Sequence, residues 1–129
     1  MPKIREILEK LVADNKCQDL TEQYKEELDE EVFLPSDAKI NEYANIFSVL
    51  SNPNRLKIIY LLLQKPMPVC FLASLLGLDQ TLVSHHLSIL RKHGIVEQII
   101  KGKYRFYYVS KQKLFDILAS IFKEFELRK

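Results

Sequence analysis

Between Asp79 and Gly94 the chain reads DQTLVSHHLSILRKHG, and the residues off its apolar stripe are Gln80, Thr81, Ser84, His85, Ser88 and Arg91, followed by Lys92. Gln and Arg offer paired hydrogen-bonding atoms that match base edges, whereas Ser, Thr and His bond either a base or a phosphate. Each good bidentate base pairing discriminates by about 1–3 kcal/mol. The one carboxylate of the run, Asp79, stands where a helix N-terminus wants a cap. Any amphipathic helix has a polar outer side, but an outer side free of acid favours a polyanion. Lys101, Lys103 and Arg105 form a second basic group around Gly102. At a hairpin tip they would meet the sugar-phosphate backbone or the neighbouring minor groove. The plain alternative is a solubilised turn.

Other reactive side chains point less clearly. His85 and His86 are adjacent, so on a helix they diverge by about 100°, and neither has a carboxylate or thiol four residues on. His86 is expected to pack its ring against neighbours, and His93 to sit in a last turn where a cation suits the helix dipole. The two cysteines, Cys17 and Cys70, are too few and too distant for a disulfide framework, which indicates a reducing compartment. Catalysis would need a nucleophile beside a base, paired carboxylates or a phosphate-binding glycine loop. The three glycines, Gly77, Gly94 and Gly102, all fall at turns, so the chain is not expected to be an enzyme.

The elements that must position these residues follow from spacing. Ile4, Ile7, Leu8 and Leu11 form a helical stripe. Lys16 to Glu31 places Leu20, Tyr24 and Leu28 four apart among acidic residues, which suits a helix with a thin apolar edge. Pro35-Ser36-Asp37 breaks that pattern. Ser36 or Asp37 then caps a helix with Ile40, Tyr43, Ala44, Phe47 and Leu50 on one face. Asn52-Pro53 supplies a cap and a first-position proline for a helix apolar on every side, expected deep in the core. Lys65-Pro66-Met67-Pro68 ends it. Val69 to Leu76, closed by Gly77, and the segment from Asp79 to Gly94 form a helix-turn-helix. Ile95–Ile100 and Tyr104–Val109 flank Lys101-Gly102-Lys103 as a hairpin, which makes the whole a winged helix. Leu114, Leu118, Ile121, Phe122 and Phe125 make a closing stripe broader than a small core absorbs, assigned with the first helix to a dimer interface.

A chain of 129 residues that is 47% hydrophobic holds one core and an extension. The division expected is 1–36, a helical extension for dimerisation and a sensing arm, and 37–129, the DNA-binding domain with a dimerisation helix. Net charge is +2, but residues 1–50 carry 6 Lys/Arg against 12 Asp/Glu and residues 51–129 carry 13 against 5, or −6 beside +8. One face should therefore meet a polyanion while another region avoids it or meets a protein. No apolar run is long enough to span a membrane, and Met1 to Leu20 is too charged for a signal, so a soluble cytoplasmic protein is expected.

The runs SVLSNPNRLKI (48–58) and VSHHLSILRKHGIV (83–96) resemble the ArsR/SmtB family of bacterial and archaeal repressors, a likeness spanning about residues 45 to 115. The resemblance implies a homodimer that binds an inverted-repeat operator in double-stranded DNA through Gln80 to Lys92 and lets go when an inducer binds. Many metal-sensing members carry Cys-X-Cys-Asp where this chain has Pro68-Val69-Cys70-Phe71, so only the second thiol is matched. Members resembling the cadmium and lead sensors add thiols from the other subunit's N-terminal extension, which implies a site of Cys17 and Cys70 across the dimer. Two thiolates suit arsenite, mercury or a thiol-disulfide switch better than tetrahedral zinc, and the soft thiophilic ions in view are arsenite, cadmium, lead or mercury. A small organic ligand is a third kind of inducer, and Cys70 as an inert residue on a buried helix is the plain alternative. The family's other metal site falls on Lys111, Lys113, Glu124 and Leu127, which lack its ligands. A winged helix serving only protein interaction or dimerisation is the competing function.

Overall fold

The computed structural model describes residues 1–126, in two compact units, Met1–Asp37 and Ala38–Lys129.

In the first unit, α1 spans Ile4–Ala13 and buries Leu8. Lys3 caps it without a side-chain bond. The exposed N–H groups of its first turn are met instead by returning chain: Ile4 N–H donates to the Glu30 carbonyl and Arg5 N–H to that of Leu28, each at 3.0 Å. The helix expected between Lys16 and Glu31 is absent. Asn15, Cys17 and Asp19 take left-handed backbone with φ of 58°, 46° and 69°, and only one turn of 3-10 helix, Thr21–Tyr24, forms. The reason is electrostatic: on a helix Glu22, Glu26 and Glu30 would stack at four-residue intervals, as would Glu27 and Glu31, and such like-charge pairs destabilise. Three apolar residues do not outweigh that repulsion.

From the boundary at Asp37 onward the chain forms α2 (Asp37–Leu50), and the second unit continues with α3 (Pro53–Gln64), α4 (Val69–Leu76), α5 (Gln80–Lys92), β1 (Glu97–Lys101), β2 (Tyr104–Tyr108) and α6 (Lys111–Glu124). Among the described residues this is a mainly α winged helix-turn-helix. Its core joins α3, α4, α5 and the hairpin base through Ile58, Leu62, Leu72, Val83, Leu87, Leu90, Ile95 and Val96, all essentially inaccessible to water. Each such side chain contributes about 1.5–3 kcal/mol of burial.

Local signals set the boundaries. The Asn52 side chain accepts from the N–H of Asn54 and Arg55, and Pro53 follows at the first helical position. Gly77 closes α4 at φ 64°, a conformation that costs a β-carbon about 1–2 kcal/mol, and the chain turns directly into α5. Asp79 holds the capping position of α5 in extended conformation, but its side chain makes no capping bond.

Packing corrects one expectation in this unit and adds to another. First, α3 is not enclosed on all sides: it buries Ile58, Ile59 and Leu62, but Leu56 is 50% and Tyr60 73% exposed. A three-helix core of this size covers one side of α3. Second, the hairpin has a third backbone partner, because Met67 exchanges hydrogen bonds with Tyr107 at 3.0 and 2.9 Å. The prolines that end α3 leave Met67 in extended chain beside the sheet.

Candidate nucleic-acid interface

Helix α5 divides cleanly. Val83, His86, Leu87 and Leu90 are buried, whereas Gln80, Thr81, Ser84, His85, Ser88, Arg91 and Lys92 are exposed, all on the side away from the core. Leu82 is also partly open on this helix, 39% exposed, and sequence reading missed it because it resembles a core residue by type. An apolar side chain beside hydrogen-bonding ones suits contact with a thymine methyl.

Antiparallel pairing of β1 with β2 sets Ile100 opposite Arg105 and Lys101 opposite Tyr104. Gly102 turns the chain at φ 60°. Lys101, Lys103 and Arg105 are exposed, and the Lys101 ammonium lies 5.3 Å from the centre of the Phe106 ring, which steadies it by cation–π attraction. Ile100 and Tyr104, 70% and 57% exposed, give the tip an apolar component beyond their part in forming the strands.

The hairpin's one carboxylate is kept at its base. The Tyr108 hydroxyl donates to Glu97 Oε2 at 2.7 Å, and the Lys113 ammonium pairs with Glu97 Oε1. Those two bonds, that from Lys113 being the stronger influence, hold the Glu97 carboxyl below its ordinary range. The acid is thus charged but compensated, and the tip presents only positive charge. Lys113 belongs to α6, which Ser110 starts by accepting from the Lys113 N–H.

The histidines part company. His93 Nδ1 lies 2.9 Å from the Ile89 carbonyl and donates to it across the last turn. His86 is 6% exposed, and its Nδ1 lies 3.4 Å from an Arg55 guanidinium nitrogen. The same guanidinium donates through Nε to the Val49 carbonyl at 2.7 Å. Burial first, then Arg55 and His85, push the His86 pKa below its ordinary value. The Arg55 contact was not legible in the sequence, since 31 residues separate the partners.

Cys17 lies in the first unit and Cys70 in the second, and both are exposed. Cys70 is therefore not the enclosed residue that a buried α4 would make it; α4 turns Leu72 and Ala73 inward and leaves Cys70 and Phe71 in solvent. Among the described residues no group of three or more His, Cys, Asp or Glu side chains is placed to hold a metal ion. Lys113 is engaged with Glu97, and Glu124 with Lys39 at 3.3 Å and the Tyr43 hydroxyl at 3.2 Å. Leu127 lies outside the described residues. No helix among those described is long and apolar enough to cross a membrane.

Residues 52–98 match the family model described as "Bacterial regulatory protein, arsR family". An uncharacterized HTH-type transcriptional regulator of Methanocaldococcus jannaschii is 37% identical over 84 residues, covering 64% of this chain and 94% of that protein. The biofilm growth-associated repressor of Xylella fastidiosa is 31% identical over 65% of this chain and 74% of its own length. The cadmium resistance transcriptional regulatory protein of Listeria innocua is 32% identical over 58% of this chain and 64% of its own. Among solved structures, the homodimeric winged helix-turn-helix DNA-binding domain of a possible ArsR-family regulator from Mycobacterium bovis superposes with a TM-score of 0.57. It is 25% identical and covers 75% of this chain and 94% of that one. The chain belongs to the arsR family of bacterial regulatory proteins and is a DNA-binding transcriptional regulator.

Proposed function

We propose that the protein is a homodimeric repressor that reads an inverted-repeat operator with α5 in the major groove and the hairpin on the flanking backbone. The observation that carries this reading is the outer side of α5: exposed Gln80, Thr81, Ser84, His85, Ser88, Arg91 and Lys92 with no carboxylate among them. Gln80, Thr81, Ser84, His85 and Ser88 read or position on bases, and Arg91 and Lys92 reach a base edge or phosphate. Lys101, Lys103 and Arg105 supply the salt-dependent term of affinity. The protein acts by occupying DNA rather than by catalysis, in the cytoplasm where its operator lies.

Dimerisation is assigned chiefly to α2 and α6. They are tied together by the bonds of Lys39 and Tyr43 to Glu124, and they leave Phe47, Phe115, Phe122 and Phe125 exposed. The first helix has less to offer than its sequence suggests, since its stripe is partly used within its own unit, where Leu8 is buried. Residues 1–36 serve as a sensing arm and 37–129 as the DNA-binding and dimerising body. For release, Cys70 on the open side of α4, joined by Cys17 from the partner's arm, offers two thiols to a soft ion such as arsenite, cadmium, lead or mercury, or to an oxidant. The cadmium-resistance relative supports this choice of chemistry.

The test is fluorescence anisotropy of the reduced protein on duplex DNA from upstream of its own gene, across a salt series and with arsenite, cadmium and oxidant. Steep salt dependence with release by a thiol reagent is the expected result. Binding without salt dependence, or none to any duplex, would favour a protein-interaction module.

A further inference from the structure

The buried side of α5 is apolar except at one place. Val83, Leu87 and Leu90 hold the helix through contacts that have no preferred direction, so they oppose its leaving the core more than its rolling or sliding on it. His86 supplies what they lack, a directional bond within the same stripe. Its partner, Arg55, sits in the first turn of α3, where its own N–H is held by Asn52 at 3.1 Å. The Arg55 side chain also reaches the last turn of α2, at the Val49 carbonyl (2.7 Å) and the Ser48 carbonyl (3.5 Å). One guanidinium therefore joins the end of α2, the start of α3 and the middle of α5.

We propose that Arg55 is a positioning residue for DNA reading, locking the roll of α5 against the end of α2 through His86, and that the lock holds only while His86 is neutral. The inference rests on the reading of α5 as the DNA-contacting helix. Its chemistry is simple. An Arg N–H can donate to Nδ1 only if that nitrogen carries a lone pair, which assigns the proton of the neutral ring to Nε2. Protonation of Nδ1 removes the acceptor and sets an imidazolium against a guanidinium. His86 is flanked on α5 by His85, whose charge acts in the same direction, and faced from α3 by Arg55; the α2 atoms bonded to that guanidinium are the uncharged carbonyls of Val49 and Ser48.

Because Ser84, His85 and Ser88 lie within two residues of His86, a small roll of α5 moves every side chain that reads the groove, whereas contact with phosphate tolerates it. The lock therefore bears on specific rather than total DNA affinity. As the folded pKa of His86 lies below its ordinary 6.5, the unfolded chain takes up the proton first. The contribution of the lock is complete above that value and is lost as pH falls through the folded pKa.

The experiment compares the full chain with Arg55→Met and His86→Gln. The probes are a duplex selected by the native protein from a random pool and a scrambled duplex of equal length, from pH 7.5 down to 5.5. Arg55→Met should lose about tenfold in specific affinity at pH 7.5, the scale of a hydrogen bond to a charged group, with binding to the scrambled duplex unchanged. In the native protein the ratio of specific to scrambled binding should fall with pH. His86→Gln, whose amide oxygen accepts without titrating, should retain the ratio at pH 7.5 and flatten its pH profile. Should Arg55→Met fail to fold by circular dichroism, the His86→Gln profile alone decides. A native ratio independent of pH, or a His86→Gln profile as steep as the native one, overturns the lock. Failure of the native protein to select any sequence overturns the α5 reading along with it.

Discussion

Arg91 and Lys103 are both exposed cations, yet their settings assign them different work. Arg91 stands in the last turn of α5 among hydrogen-bonding side chains, while Lys103 occupies the hairpin turn beside Gly102. Lys103→Ala should weaken binding about equally for all sequences and reduce the slope of log affinity against log salt by about 1. If Arg91 reaches a base edge, Arg91→Ala should cost about 1–3 kcal/mol on the selected duplex and less on a scrambled one. Anisotropy on both duplexes across a salt series separates the two, and equal losses on both would move Arg91 to the phosphates. The cysteine assignment is tested in the same assay. Cys70 is exposed, so Cys70→Ser should leave stability and basal binding near native and abolish release by arsenite or cadmium. Release that persists in Cys70→Ser would point to another inducer site. These polar positions were legible because residue type and helical spacing fix which side of α5 faces out. The Arg55 to His86 contact was not, because spacing along one helix carries no information about a partner on another.

Among the elements, the junction between α2 and α3 shows how few residues stop one helix and start the next. Asn52 satisfies two N–H groups that no helical carbonyl can reach. Asn52→Ala should therefore lower stability by about 1 kcal/mol in urea unfolding, and Asn52→Asp should recover most of it. The hairpin base makes a pH-dependent prediction. Glu97 is held below its ordinary 4.5 by the bonds from Lys113 and Tyr108, so its contribution is complete above that pH and fades as acid titrates the folded carboxylate. Glu97→Gln should accordingly flatten the acid limb of a stability profile below about pH 4.5, where the native protein loses this link between hairpin and α6. An acid limb as steep in the variant as in the native chain would assign that loss to other carboxylates. Caps, prolines and left-handed glycines made α3, α4, α5 and the hairpin readable from sequence, since each acts through its immediate neighbours. The segment from Lys16 to Glu31 forms no long helix because its carboxylates repeat at the same four-residue spacing as its three apolar residues, and the like charges outweigh that thin edge. The exposure of Leu56 and Tyr60 is illegible in the sequence for another reason: apolar type does not say how much core is available to cover it.

At the scale of the molecule, the apolar surface is larger than one copy of the second unit can hide. Phe115, Phe122 and Phe125 are about two thirds exposed or more, at 67%, 71% and 70%, and Phe47 is 49% exposed. A soluble monomer rarely leaves such a set in water unless it marks an interface, and two copies apposed through α6 would cover much of it. The stripe of Leu114, Leu118, Ile121, Phe122 and Phe125 was visible in the sequence, whereas its division into buried Ile121, half-buried Leu114 and Leu118, and open Phe122 and Phe125, with Phe115 open beside them, follows from packing. Phe122→Glu places a charge where dimerisation would bury it, which costs several kcal/mol unless paired, but it disturbs no core contact of the single chain. Sedimentation should show a native dimer and a folded Phe122→Glu monomer. A monomer reaches only one half-site at a time, so it forfeits the gain from a second, linked contact. Its affinity for the full operator should fall by about 10²-fold or more, towards that of the native protein for a half-site duplex. If Phe122→Glu remains dimeric and binds the full operator as the native chain does, the interface lies elsewhere, and the exposed α3 and α4 residues Tyr60 and Phe71 become the next candidates.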